Sequence, residues 1–160
     1  MLLLFFGCNS AEGKYEEQKV NEFKEIKLPI YKTASAIKED FNKKYLVKYV
    51  KYSVEMYYPA KDIIEFYDKE MAKMSFEPFV EDYFKDRYRS WNTYEDGTLE
   101  GEPGVTACEM SWVSKDQTKR ATLVLKYFWW KKEKRRVLNS NSKLKVEFRI
   151  QPFYLEPPQS

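Results

Sequence analysis

Hydrophobic and polar positions alternate most cleanly late in the chain, where Leu144, Val146, Phe148 and Ile150 interleave with Lys143, Lys145, Glu147 and Arg149. A period of two sends the first set to one face of a β-strand and the second to the other. Residues 45 to 58 show the same signature, with Val50, Tyr52, Val54 and Met56 set against Lys51, Ser53 and Glu55. From Val105 to Val113, Thr106, Cys108, Met110 and Trp112 alternate with Ala107, Glu109, Ser111 and Val113. A return strand from Arg120 to Trp130 puts Ala121, Leu123, Leu125, Tyr127 and Trp129 on the core face, and Lys126, Phe128 and Trp130 outward. The polar run Ser114 to Lys119 joins these two strands as a hairpin.

Between the first strand and the hairpin the period changes. Pro59 stops the strand and suits the first turn of a helix. A helix is predicted from about Ala60 to Met74, with Ile63, Phe66, Tyr67, Glu70, Met71 and Met74 on one side and Asp62 and Glu65 near its start. A weaker helical pattern follows through Val80, Tyr83, Phe84, Arg87, Tyr88 and Trp91. Asp96-Gly97 and Gly101-Glu102-Pro103-Gly104 mark residues 92 to 104 as a loop. The polar residues Asn139 to Ser142 lead into the last strand. The order β-α-(α)-β-β-β predicts an α+β fold, a mostly antiparallel sheet with its helices packed on one face.

The ends of the chain read differently. Met1-Leu2-Leu3-Leu4-Phe5-Phe6-Gly7-Cys8 is apolar but far short of a membrane span of roughly 20 residues. It resembles the end of a bacterial lipoprotein signal, in which a small residue precedes the lipidated cysteine; here those are Gly7 and Cys8. That resemblance implies an acylated Cys8, a remnant signal over 1–8, and an address in the bacterial envelope, facing periplasm or exterior. Residues 9–27 are mostly polar and charged, as expected of a flexible tether. The single folded domain is then expected over 28–155, with a tail over 156–160.

Composition narrows the chemistry. Histidine is absent, which removes the usual general base near neutral pH and the commonest nitrogen ligand for zinc or copper. Cys8 and Cys108 are too far apart for a metal knuckle or redox pair, and the acids Glu95, Asp96, Glu100 and Glu102 match no calcium-loop spacing. No cofactor, metal or catalytic group is therefore expected. Charge is segregated. Between Lys119 and Arg149, eleven basic residues face only Glu133 and Glu147, a net of +9, within a chain whose overall net is +3.

A second resemblance rests on Pro29 and Tyr31 as an entry segment, the strand through Met56, the helix Phe66-Tyr67-Asp68-Lys69-Glu70-Met71, and the exit Phe76-Glu77-Pro78. This order is similar to that of small bacterial envelope lipoprotein domains, with Ser75-Phe76 where those show Gly-Trp. It implies a fold and transfers no catalytic residue.

The leading functional expectation is a lipid-anchored binding or scaffolding domain acting through a basic aromatic hairpin: Lys126, Phe128, Trp130, Lys131, Lys132, Lys134, Arg135 and Arg136. Its partners would be anionic lipid headgroups or an acidic envelope glycan, with nucleic acid disfavoured by the envelope address. Two alternatives stay open. One is an enzyme using carboxylates such as Glu109 or Glu147, and the other is an immunity-type module that docks a partner protein at its sheet edge.

Overall fold

A computed structural model describes residues 10–55, 60–79, 92–94, 104–132, 135–138 and 143–153. Side chains are described within these except at 10–12, 92–94, 104, 106, 129–132 and 135–138.

Ser10–Lys24 forms helix α1. Lys, Glu and Gln fill much of it, straight-chain residues that lose little rotamer freedom in a helix, and Val20 is its only β-branched residue. The stretch expected as a flexible tether is therefore helical, and its last turn is docked. Phe23 is buried, Glu22 pairs with Lys119 at 2.5 Å, and Lys48 donates to the Lys24 carbonyl at 3.2 Å. A lysine at the carbonyl end of a helix also meets the negative end of its dipole. The packed unit thus begins before residue 28.

Ser35–Asn42 (β1) and Val47–Val54 (β2) form an antiparallel hairpin. The alternation over 45–58 predicts β2 but not β1, whose residues are almost all exposed. Lys61–Lys73 is helix α2, entered through Ala60 in the left-handed conformation (φ 58°). Ile63, Ile64, Tyr67 and Met71 are its buried residues. Phe66 and Met74, predicted on the core side, lie half-buried at its flank, and Glu70 is half-exposed and paired with Lys73. Short strands Phe76–Pro78 (β3) and Asn92–Tyr94 (β4) both pair with Gly104–Ser114 (β5), so part of the expected loop over 92–104 is strand. The helical pattern over 80–91 lies outside the described residues.

β5 and Lys119–Lys132 (β6) form the expected hairpin, and Arg135–Leu138 (β7) folds back on the far half of β6. The last strand, Leu144–Pro152 (β8), enters between β2 and the near half of β6. All pairings among the described strands are antiparallel, in the order β1-β2-β8-β6-β5-β3. The β5–β6 turn is closed by Asp116, whose Oδ1 accepts from the Ser114 hydroxyl, the Thr118 amide and the Thr118 hydroxyl.

Register explains the core. Val50, Phe148, Leu123 and Met110 form one row across the sheet, and Tyr52, Val146, Leu125 and Cys108 the next. All eight are buried. Tyr67 of α2 stacks on Phe148 with ring centroids 4.7 Å apart. Lys48 and Lys119, which hold the end of α1, belong to this same face by register. Both helices therefore pack on one side of an α+β sheet.

Candidate functional site

The opposite face of the sheet carries no helix among the described residues, and its rows are polar. One row runs Lys38, Lys51, Glu147, Val124, Glu109 across β1, β2, β8, β6 and β5. The next runs Ser53, Lys145, Lys126, Ala107. Directly opposed residues on neighbouring strands have Cβ atoms about 4.5–5.5 Å apart. Register therefore sets Lys38 beside Lys51 and Lys126 beside Lys145. The four lysines rim a shallow trough of about 380 Å³, floored by Ser53 and Val124.

The charges in the trough are unevenly matched. Lys51 pairs with Glu147 at 3.1 Å and lies 5.3 Å from the ring centre of Tyr49. Arg149 approaches the same carboxylate at 4.0 Å. Lys145 donates to the buried Ser53 hydroxyl at 2.9 Å, and Ser35 donates to the Ser53 carbonyl at 3.2 Å. Among the described residues, no carboxylate lies within ion-pair distance of Lys38, Lys126 or Lys145. Asp40 is taken up at the margin by the Tyr49 hydroxyl at 3.0 Å, a bond to a carboxylate that raises the Tyr49 pKa.

Of the residues expected to form the site, Lys126 is exposed and Phe128 half-buried, both on this face by register. Backbone pairing sets Trp130 opposite Val137, Lys131 opposite Arg136 and Lys132 opposite Arg135, so β6 and β7 bring four basic positions into one short hairpin. Lys134 and Cys8 lie outside the described residues. Sequence reading missed Lys38, Lys51 and Ser53 as site members, and counted Lys145 only as part of a basic block. The wet-face positions of Lys51, Ser53 and Lys145 were visible in the alternation, whereas Lys38 lies on a strand without a period and the register that gathers all four was not visible.

Comparison with family models, curated proteins and solved structures finds no match. What the trough can do follows from its own side chains. Ammonium groups without a competing acid attract oxyanions as point charges. Glu109 and Glu147 share a face but stand two strands apart with Val124 between them, roughly 9–10 Å at backbone level. Glu147 is moreover engaged by Lys51. These two carboxylates do not converge as an acid–base pair. Among the described residues, no group of three His, Cys, Asp or Glu is placed to hold a metal, and no helix is long and apolar enough to cross a membrane.

Proposed function

We propose that this protein is an envelope lipoprotein, acylated at Cys8, whose domain is a non-catalytic binding module for an anionic membrane surface. The observation that carries this reading is the register that opposes Lys126 to Lys145 and Lys38 to Lys51 on a sheet face bearing no helix among the described residues. Like charges opposed across strands are unfavourable on their own, and an external anion relieves them. The hairpin of β6 and β7 extends the positive field beyond β8. Each lysine or arginine near an anionic leaflet contributes about 1 kcal/mol, attenuated over a Debye length of about 8 Å at physiological salt. Docking of a partner strand at β1 is less favoured, because that edge is irregular between Ser35 and Lys38 and carries Lys38, Glu39 and Asp40 in succession.

The test is co-sedimentation of the full chain, carrying Cys8→Ser to prevent acylation, with vesicles containing phosphatidylglycerol or only phosphatidylcholine. Binding to the anionic vesicles alone, declining as salt rises, is the expected result. Failure to bind at low ionic strength overturns the membrane reading, and binding to an acidic polysaccharide instead transfers it to a glycan.

A further inference from the structure

The trough has more definition than a diffuse basic surface, and its definition points to one kind of anion. Lys145 is not simply extended into solvent: its ammonium is tied to the Ser53 hydroxyl at 2.9 Å, which holds it low over the sheet. Ser53 itself is 5% exposed, so its hydroxyl sits at the floor. It accepts from Lys145, which leaves its proton for donation to a ligand. On the side away from Lys145, Lys126 is flanked by Ala107, a residue too small to cover it. Among the described residues the one carboxylate lining the trough, Glu147, is committed to Lys51. Lys38, Lys126 and Lys145 are thus gathered without a described counter-charge.

A phosphate diester brings a single negative charge and two unesterified oxygens. A phosphate monoester brings about −1.5 to −2 at neutral pH and three strong acceptor oxygens. We propose that the trough is a phosphate-monoester site, with Lys126, Lys145 and the Ser53 hydroxyl donating to the terminal oxygens and Lys38 supplying charge from the β1 side. The ester group projects away from the sheet, since the floor has donors only for the phosphate end. This rests on the reading that this face binds anions, and names the anion. Such a group occurs on monoester lipid headgroups and on free phosphorylated metabolites alike.

The experiment titrates the isotope-labelled full chain, carrying Cys8→Ser, with glycerol 3-phosphate and, separately, with the diester glycerophosphoglycerol. Saturable backbone amide shifts centred on Ser53, Lys126 and Lys145 are expected with the monoester only. Affinity should rise as pH passes through about 6, where the monoester takes its second charge. Lys126→Gln with Lys145→Gln should weaken binding at least about tenfold, roughly 1.4 kcal/mol, with an unchanged melting temperature confirming the fold. Equal response to mono- and diester, or no saturable response, overturns the proposal. Binding to phosphatidylglycerol vesicles without a response to glycerol 3-phosphate overturns this inference and leaves the membrane reading standing. A glycerol 3-phosphate response without binding to phosphatidic acid vesicles supports the site and assigns it to a free ester.

Discussion

The Tyr52 hydroxyl on β2 lies 2.8 Å from the Tyr67 hydroxyl on α2, in the interior between helix and sheet. Tyr67 gives its one proton to the Pro29 carbonyl at 3.0 Å, so Tyr52 must be the donor in the pair. Tyr52 accepts in turn from the Tyr31 amide at 3.4 Å. Two side chains from different elements thereby fasten the entry segment 29–31. Tyr67→Phe should cost about 1–3 kcal/mol, because it strands the buried Tyr52 donor and the Pro29 carbonyl together. Chemical denaturation measures it, and a change near zero would show that water replaces the lost partners.

The same pair sets an alkaline limit. Burial raises the pKa of Tyr52 and Tyr67 above the ordinary 10.0, and pushes Tyr127 up to about 12. Above pH 10 the unfolded chain loses these protons while the folded chain keeps them, so their contribution is full below pH 10 and is lost as pH rises. Each tyrosine steepens the fall by up to about 1.4 kcal/mol per pH unit. Stability measured from pH 9 to 12 should decline more gently in Tyr67→Phe, and an identical slope would exclude Tyr67 as a contributor.

The opposite sign holds at the β5–β6 turn. Hydrogen bonds from Ser114 and Thr118 lower the Asp116 pKa to about 2 from 3.8. Its stabilisation is present above pH 4 and disappears as pH falls through about 2. Asp116→Asn should therefore lower the melting temperature at neutral pH, with the gap to the unmodified chain closing near pH 2. A gap independent of pH would mean that geometry, not the carboxylate charge, holds this turn.

Much of this fold was legible because burial writes itself into alternation. β2, β5, β6 and β8 each bury one face against the helices, and Leu144, Val146, Phe148 and Ile150 show that face in sequence as plainly as in structure. β1 was illegible for the converse reason: an exposed edge strand has no face to bury, so its residues carry no period. α1 misled in a similar way, since a polar helix held by one buried ring reads as a solvated tether. The trough was half legible. The basic block from Lys119 onward was evident, but Lys38 and Lys51 join it only through pairings between residues far apart in sequence.

The docked end of α1 gives a further expectation. Phe23→Ala should cost about 2–4 kcal/mol, as a large-to-small change at the margin of the core, and a chain beginning at Glu25 should melt at lower temperature than one beginning at Asn9. On α2 the fully buried Met71 should be costlier to truncate, at about 2–5 kcal/mol. Phe66 is half-buried and packs edge-on to Tyr31 at 5.3 Å, so Phe66→Ala should fall nearer about 1–2 kcal/mol. Reversal of that order by denaturant titration would move the centre of the core toward the flank of α2.

On the proposed membrane-binding reading, Trp130→Ala should remove a salt-insensitive part of vesicle binding, since an indole at headgroup level contributes through apolar area. Lys126→Gln should reduce the salt-dependent part. Co-sedimentation of both variants across a salt series separates the two, and equal loss at every salt concentration in both would contradict this division.

The position of β8 bears on how the chain comes to be folded. It is the last described strand in sequence yet holds β2 on one edge and β6 on the other. Among the described residues, the β1–β2 and β5–β6 hairpins share no direct strand pairing, so β8 alone joins them into one sheet. During synthesis, the sheet cannot close before the residues of β8 are available to pair. Closure of the sheet thus depends on a strand that is distant in sequence from one of its two neighbours, β2, and a truncation that removes β8 would leave two hairpins without a shared sheet.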